Sequence, residues 1–206
     1  MVKSSGITEK IIFTFFIFVV VFAACSRKYE KCFEHIVFQQ GDLVFRRGIG
    51  VKSRAVLHVD SLGIYSHVGI VVLKDSVFQV VHITPGERER GENVDKIKIE
   101  TVSEFWRSDR AKYGAVYRLE NNSFGEKAAQ EALRLLQKEI LFDHDYQLND
   151  TTEMYCTELV WYAYMQAGKD ISFGKRSVLN VPLYAGTYIF PSDIYTNREF
   201  ILIFNF

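Results

Sequence analysis

Apolar and polar positions follow three rhythms along the chain. From Ile11 to Ala24 the residues read IIFTFFIFVVVFAA with no charge at all. Further on, β-branched and apolar residues gather in short bursts bounded by turn residues, the pattern of strands. His35 to Phe38 and Leu43 to Phe45, separated by Gln39-Gln40-Gly41-Asp42, read as two extended pieces. Tyr65 to Leu73 and Val77 to His82 flank Lys74-Asp75-Ser76 and predict a hairpin with a loop of three to four residues. Further strands are predicted at Ala115 to Leu119 and Phe200 to Phe204. A helical period appears twice. Ala129, Leu133, Leu136 and Ile140 predict a helix over 126–140, with Ser123 and Glu126 placed as a capping box. Cys156, Leu159, Val160, Ala163 and Ala167 form the stripe of a second helix, stopped by Gly168. Strands, a helix and a long tail make the fold class α+β.

The uncharged run changes the picture of the whole chain. It is short for a bilayer-spanning helix, which needs about 20 residues, and it matches the core of a secretory signal. It ends in Val21-Phe22-Ala23-Ala24-Cys25, which resembles a bacterial lipoprotein box in which Cys25 is lipidated and becomes the new N-terminus; Phe22 stands where Leu is usual. Residues 1–24 are therefore assigned as a signal peptide of lipoprotein type, 25–33 as a tether and 34–206 as one domain, since no repeat or low-complexity stretch divides them. The expected location is the cell envelope, held by lipid on a membrane surface at the periplasmic or outer-membrane face.

Composition narrows the partners. The 206 residues carry 25 Lys and Arg against 25 Asp and Glu, so no overall charge draws the chain to nucleic acid. The three cysteines are Cys25, Cys32 and Cys156. If Cys25 carries lipid, Cys32 and Cys156 either pair or remain thiols. The charged loop Gly86 to Asp95 reads as a solvated face.

Cys156 is the candidate nucleophile because a helix start favours thiolate over thiol. Among His35, His58, His67, His82 and His144, His67 lies on a strand beside the small Gly69 and is the candidate base. Gln79, polar in an apolar strand, is placed beside His67 as its orienting group, with His82 as the reserve. Tyr65 is a supporting residue that either donates to an oxyanion or packs. Asp42 reads as structural, and Tyr184, Tyr188, Phe190 and Tyr195 as aromatics that either pack or line a groove. A metal site made by Cys156, His67 and His82 lacks C-x-x-C or H-x-x-x-H spacing, and no metal is assigned.

Gly41-Asp42-Leu43-Val44-Phe45, Tyr65-Ser66-His67-Val68-Gly69-Ile70-Val71 and Tyr155-Cys156-Thr157-Glu158-Leu159-Val160-Trp161, in that order, resemble the YiiX/YebB family of permuted papain-like amidases within the NlpC-type superfamily. The resemblance implies a circularly permuted papain-like fold in which an antiparallel sheet carries the His and packs against a helix carrying the Cys. It implies Cys156 as nucleophile, His67 as base and Gln79 at the third position, where many relatives carry Glu or His. No cofactor is implied. The expected activity is cysteine hydrolysis of an amide in peptide or cell-wall-derived material. Two alternatives stand beside it: hydrolysis or transfer of an acyl ester or lipid, and a non-catalytic binding lipoprotein on the same scaffold.

Overall fold

A computed structural model describes residues 35–88, 91–148, 151–180 and 185–206. Residues 1–24, expected to be a signal peptide, and Cys25, Cys32 and Tyr184 lie outside the described residues. Phe38 to Phe206 form one compact unit. Its strands are β1 (Leu43–Gly48), β2 (His67–Lys74), β3 (Val77–His82), β4 (Lys98–Thr101), β5 (Ala111–Leu119), β6 (Leu141–Phe142), β7 (Glu153–Met154), β8 (Ser177–Leu179), β9 (Gly186–Tyr188) and β10 (Phe200–Asn205). Its helices are α1 (Val51–Val59), α2 (Val102–Phe105), α3 (Gly125–Gln137), α4 (Cys156–Gln166) and α5 (Pro191–Tyr195).

Six strands make one antiparallel sheet in the order β10-β5-β1-β2-β3-β4. Its central strands are nearly continuous apolar runs because they are covered on both faces. Val44, Val71, Val80 and Val116 are as fully buried as Leu43, Phe45, Ile70 and Val72. Helices α3 and α4 pack on each other and on β2. Ala128, Ala129, Ala132 and Leu135 of α3 join Leu159, Val160, Ala163 and Tyr164 of α4 in the core. The small alanines let the two helices approach closely, so the sheet-facing layer is tight.

The hairpin is sharper than the sequence suggests. Lys74 pairs with Val77, so the loop is two residues, Asp75 and Ser76, both at positive φ (51° and 64°). That is the turn geometry whose twist matches paired strands. His35 to Phe38 forms no strand. The expected capping box at Ser123 is also absent: a 3₁₀ turn over Asn122–Phe124 precedes α3, capped by the Asn121 side chain accepting from the Ser123 N–H. Asp42 is structural, as its position in the Gly-Asp turn suggests. Fully buried, it accepts from the Gln39 N–H at 2.8 Å and from Arg118 Nε and Nη2 at 2.7 and 2.8 Å. This pinned turn starts β1.

Candidate active site

Cys156 occupies the first position of α4. Tyr155 before it is extended (φ −98°, ψ 172°), and the Glu158 carboxylate accepts the Tyr155 N–H at 3.4 Å. The Thr157 hydroxyl donates to the Ile189 carbonyl, and the Ile189 N–H donates to the Tyr155 hydroxyl at 3.0 Å. The helix start is thus fixed from both sides of Cys156. Cys156 is half-buried as a residue, and its thiol lies against the backbone N–H of Val68, the residue after His67. Burial pushes the thiol up to about 11, against the N–H groups of Val68, Thr157 and Cys156 and the charge of Arg46, which favour thiolate. Against the helix-start expectation, burial outweighs the N–H groups that favour thiolate.

His67, the first residue of β2, is buried and stacks on Phe105 at 5.4 Å between ring centroids. Its Nε2 lies 2.9 Å from His82 Nδ1. His82, at the end of β3, is fully enclosed, and its Nε2 stands 3.0 Å from Glu100 Oε1 on β4. That second contact is an ion-pair distance with a bent approach, since neither atom has a well-directed hydrogen bond among the described residues. Burial, then the charge of Arg46, hold His67 well below the ordinary imidazole range, and burial likewise lowers His82 to about 4. Burial works against ionisation of Glu100, but the His82 contact and the charges of Lys98 and Arg110 prevail and keep it a carboxylate.

Gln79 is not beside His67. The two-residue turn sets it opposite Val72 on β2 and Thr101 on β4. Five residues of β2 then separate it from His67, about 17 Å at the rise of an antiparallel strand. The reserve residue, His82, holds the position instead. Gly69 makes this possible: a Cβ there would stand 2.4 Å from Val80 Cγ1 and 3.0 Å from His82 Cβ. The glycine admits a side chain of this chain. Tyr65 packs, with its ring 5.7 Å from Phe45 and 5.2 Å from Tyr195, and its hydroxyl shares a hydrogen bond with Tyr117. Tyr188 and Phe190 stack on each other at 5.8 Å. His35 and His58 are exposed, and His144 lies 3.7 Å from Asp95.

Three charged residues escaped the sequence reading. Arg46 is opposite His67 in the β1–β2 register and 3% exposed. It donates to the Phe105 carbonyl at 2.8 Å, lies 4.7 Å over the Phe105 ring and pairs with Glu87. Glu87 belongs to the loop read as a solvated face; it turns inward to meet Arg46 and Lys98. Glu100 also meets Lys98 at 3.2 Å and Arg110 at 2.9 Å. The only hint in the sequence is that Arg46 continues an apolar strand directly.

A solved structure titled as metalloprotein yiiX from Escherichia coli O157:H7 superposes with a TM-score of 0.64 at 20% identity, covering 81% of this chain and 96% of that one. It shares the fold. Its title concerns a metal, but among the described residues here no three His, Cys, Asp or Glu side chains gather as a metal-binding group. His67 Nε2 and His82 Nδ1 are spent on each other. The donor set does not fit a metal ion. No curated protein matches the chain. The family model described as permuted papain-like amidase enzyme, YaeF/YiiX, C92 family, matches residues 37–189. With most of its length matched, the chain belongs to the YaeF/YiiX family of permuted papain-like amidases.

Proposed function

We propose that the chain is an exported, lipid-anchored cysteine amidase acting on peptide or cell-wall-derived material, with Cys156 as nucleophile and His67 as base. The observation that carries this reading is the chain from His67 Nε2 to His82 Nδ1 and from His82 Nε2 to Glu100, on the strand whose next N–H meets the Cys156 thiol. It gives each ring one tautomer. His67 carries its proton on Nε2 and donates it to His82, which leaves Nδ1 as a free acceptor for the thiol proton.

In the proposed reaction the Cys156 Sγ bonds to the amide carbon while the thiol proton passes to His67 Nδ1. The C–N bond then breaks and the imidazolium returns that proton to the leaving amine, which leaves a thioester on Cys156. Water attacks the thioester and gives a proton to His67; the C–S bond breaks and the proton returns to the thiol. The Cys156 N–H at the helix start is the natural donor to the oxyanion. Imidazolium at His67 forms in a buried site, and Glu100 supplies the compensating negative charge through His82. Gln at the third position would give no such charge, and the contact of His82 with His67 and Glu100 supports the catalytic reading over a pure binding protein.

The test is turnover and acyl-enzyme trapping. Cys156→Ala and His67→Ala are each expected to abolish hydrolysis of amide substrates with the fold retained, and wild type is expected to gain the acyl mass on Cys156. Full activity in either variant sinks the assignment. Thioester formed only with ester or lipid substrates moves the reading to the acyl-ester class.

A further inference from the structure

Helix α1 and the loop that follows it, residues 60–66, connect β1 to β2 and lead directly into His67. The nine-residue helix has no buried side chain at all. A helix this short has little stability of its own and normally relies on an apolar face packed against a partner. Here Ser53, Val56, Leu57 and Val59 are partly covered, while Val51, Ala55 and His58, one line at i, i+4 and i+7, face outward. Lys52 and Arg54 flank that line and are exposed too.

Large apolar side chains that flank α1 in the chain are exposed as well. Ile49 and Ile64 are about half exposed, Val51 is 72% exposed and Leu62 70%. These are not side chains of a slack loop. Asp60 accepts from the Ser192 N–H at 3.2 Å and from the Ser192 hydroxyl; Tyr195 donates to the Leu62 carbonyl at 2.9 Å and accepts from the Ile64 N–H at 2.9 Å. The backbone is pinned to α5 while Leu62 and Ile64 project into solvent. Such rigid display of apolar groups loses little conformational freedom when the surface is covered.

Charge selects the occupant. From Leu43 to Lys74 the sole acidic residue is Asp60, and it is buried against Ser192. The outward surface of α1 therefore carries apolar groups with Lys52, whose charge also acts on the buried Asp95, and Arg54, which donates to the Ile49 carbonyl at 3.2 Å, and no exposed carboxylate of its own, although the chain as a whole has no net charge. Apolar side chains at the level of acyl chains, with Lys and Arg reaching toward phosphates, is the composition of an interfacial lipid-binding segment. We propose that α1 with residues 49–64 is a docking surface for an anionic lipid bilayer, which sets the His67 end of β2 against the membrane. The proposal rests on the export reading only for the source of the bilayer, which vesicles supply in the test.

The experiment is amide hydrogen exchange of the full chain on phosphatidylcholine vesicles with and without phosphatidylglycerol. The N-terminal apolar segment is the same in every sample, so the readout is local to residues 49–64. Exchange there is expected to slow roughly tenfold or more on the phosphatidylglycerol vesicles. The Lys52→Gln/Arg54→Gln variant is expected to lose most of that protection and keep wild-type exchange elsewhere, and Leu62→Ser to weaken it. Unchanged exchange at 49–64 on anionic vesicles overturns the proposal. So does equal protection on phosphatidylcholine alone, or protection that grows with protein concentration without lipid, which would assign the surface to a second copy. Loss of amidase activity in Cys156→Ala or His67→Ala bears on the catalytic reading alone and leaves this surface untouched.

Discussion

His82 Nδ1 lies 2.9 Å from His67 Nε2, so one buried imidazole orients another. A carboxamide would fix a single ring by hydrogen bonding; two rings ending at Glu100 also bring a negative charge within 3.0 Å of the second ring. The consequence for mutagenesis is a clear order. His82→Gln keeps an acceptor for His67 but cuts the link to Glu100, and kcat/KM is expected to fall about 10²-fold, within the range of acid–base contributions. Glu100→Gln is expected to fall less, and Gln79→Ala to stay within about twofold of wild type, because surface-distant changes rarely alter chemistry. Steady-state rates for the three variants check the order. A larger loss from Gln79→Ala than from His82→Gln would reverse the assignment.

Much of this was readable in the sequence, and the reason for the gap is specific. The apolar, β-branched run Val77 to Val81 places β3 because the central sheet is covered on both faces, and the stripe from Cys156 to Ala167 places α4 because one helix face is buried. The partner of His67 depends on register, and register depends on the turn. Moving the turn to Asp75-Ser76 carries Gln79 away to Val72 and leaves His82 to cross over Gly69. Arg46, Glu87 and Glu100 were invisible for another reason. A charge in a strand reads as solvent-facing, and only the fold shows that Glu87, 41 residues away, meets Arg46. β4, which brings Glu100 and Lys98, has too few apolar residues to announce itself.

Alkylation of Cys156 reports its resting state. With the thiol pushed up to about 11 and His67 held low, the pair is neutral before substrate arrives. The rate of reaction with iodoacetamide is therefore expected to rise with pH through and beyond the ordinary cysteine midpoint near 8.5, with no plateau near pH 6. A plateau below pH 7 that vanishes in His67→Ala would instead mean a preformed thiolate–imidazolium pair.

Stability is expected to weaken on the acid side well before ordinary carboxylates titrate. His82 is lowered to about 4 by burial, below the 6.5 of an unfolded imidazole. Between those values the unfolded chain binds a proton that the folded chain refuses, so stability rises with pH across that interval and is fully present above about 6.5. His67, also lowered by burial, acts in the same sense. Glu100, also lowered, adds a loss that begins as pH drops below its unfolded value of 4.5. Denaturant unfolding at a series of pH values checks this. The decline between pH 6.5 and 4 is expected to be shallower in His82→Asn, and an unchanged slope would mean that His82 does not resist protonation in the fold.

Arg46 is buried, and its partner Glu87 is half-buried and also meets Lys98 and Arg110, so removing Arg46 takes one of three cations from that carboxylate. Arg46→Met is expected to lower stability by about 1–3 kcal/mol, the cost of losing its hydrogen bonds to Glu87 and to the Phe105 carbonyl. Arg46→Met with Glu87→Gln together should recover part of that loss, since the second change removes the carboxylate that has lost its Arg46 contact. Additive losses in the double variant would show that the two side chains do not act as a pair.

Gly69 ties the hairpin to the site, and Gly69→Ala tests that tie without touching any group that carries a proton. A methyl group there meets Val80 Cγ1 at 2.4 Å and His82 Cβ at 3.0 Å. Val80 is fully buried and cannot swing into solvent, so β2 and β3 must separate. Overpacking of this kind costs about 1–3 kcal/mol. The same shift pulls His82 from its 2.9 Å contact with His67, so kcat is expected to fall by more than the loss of folded protein explains. The control is Val80→Ala in the same chain, which opens room beside the new methyl. Rescue of both stability and kcat by that second change supports steric displacement of His82. Rescue of stability alone would separate the packing of the hairpin from the alignment of the two imidazoles.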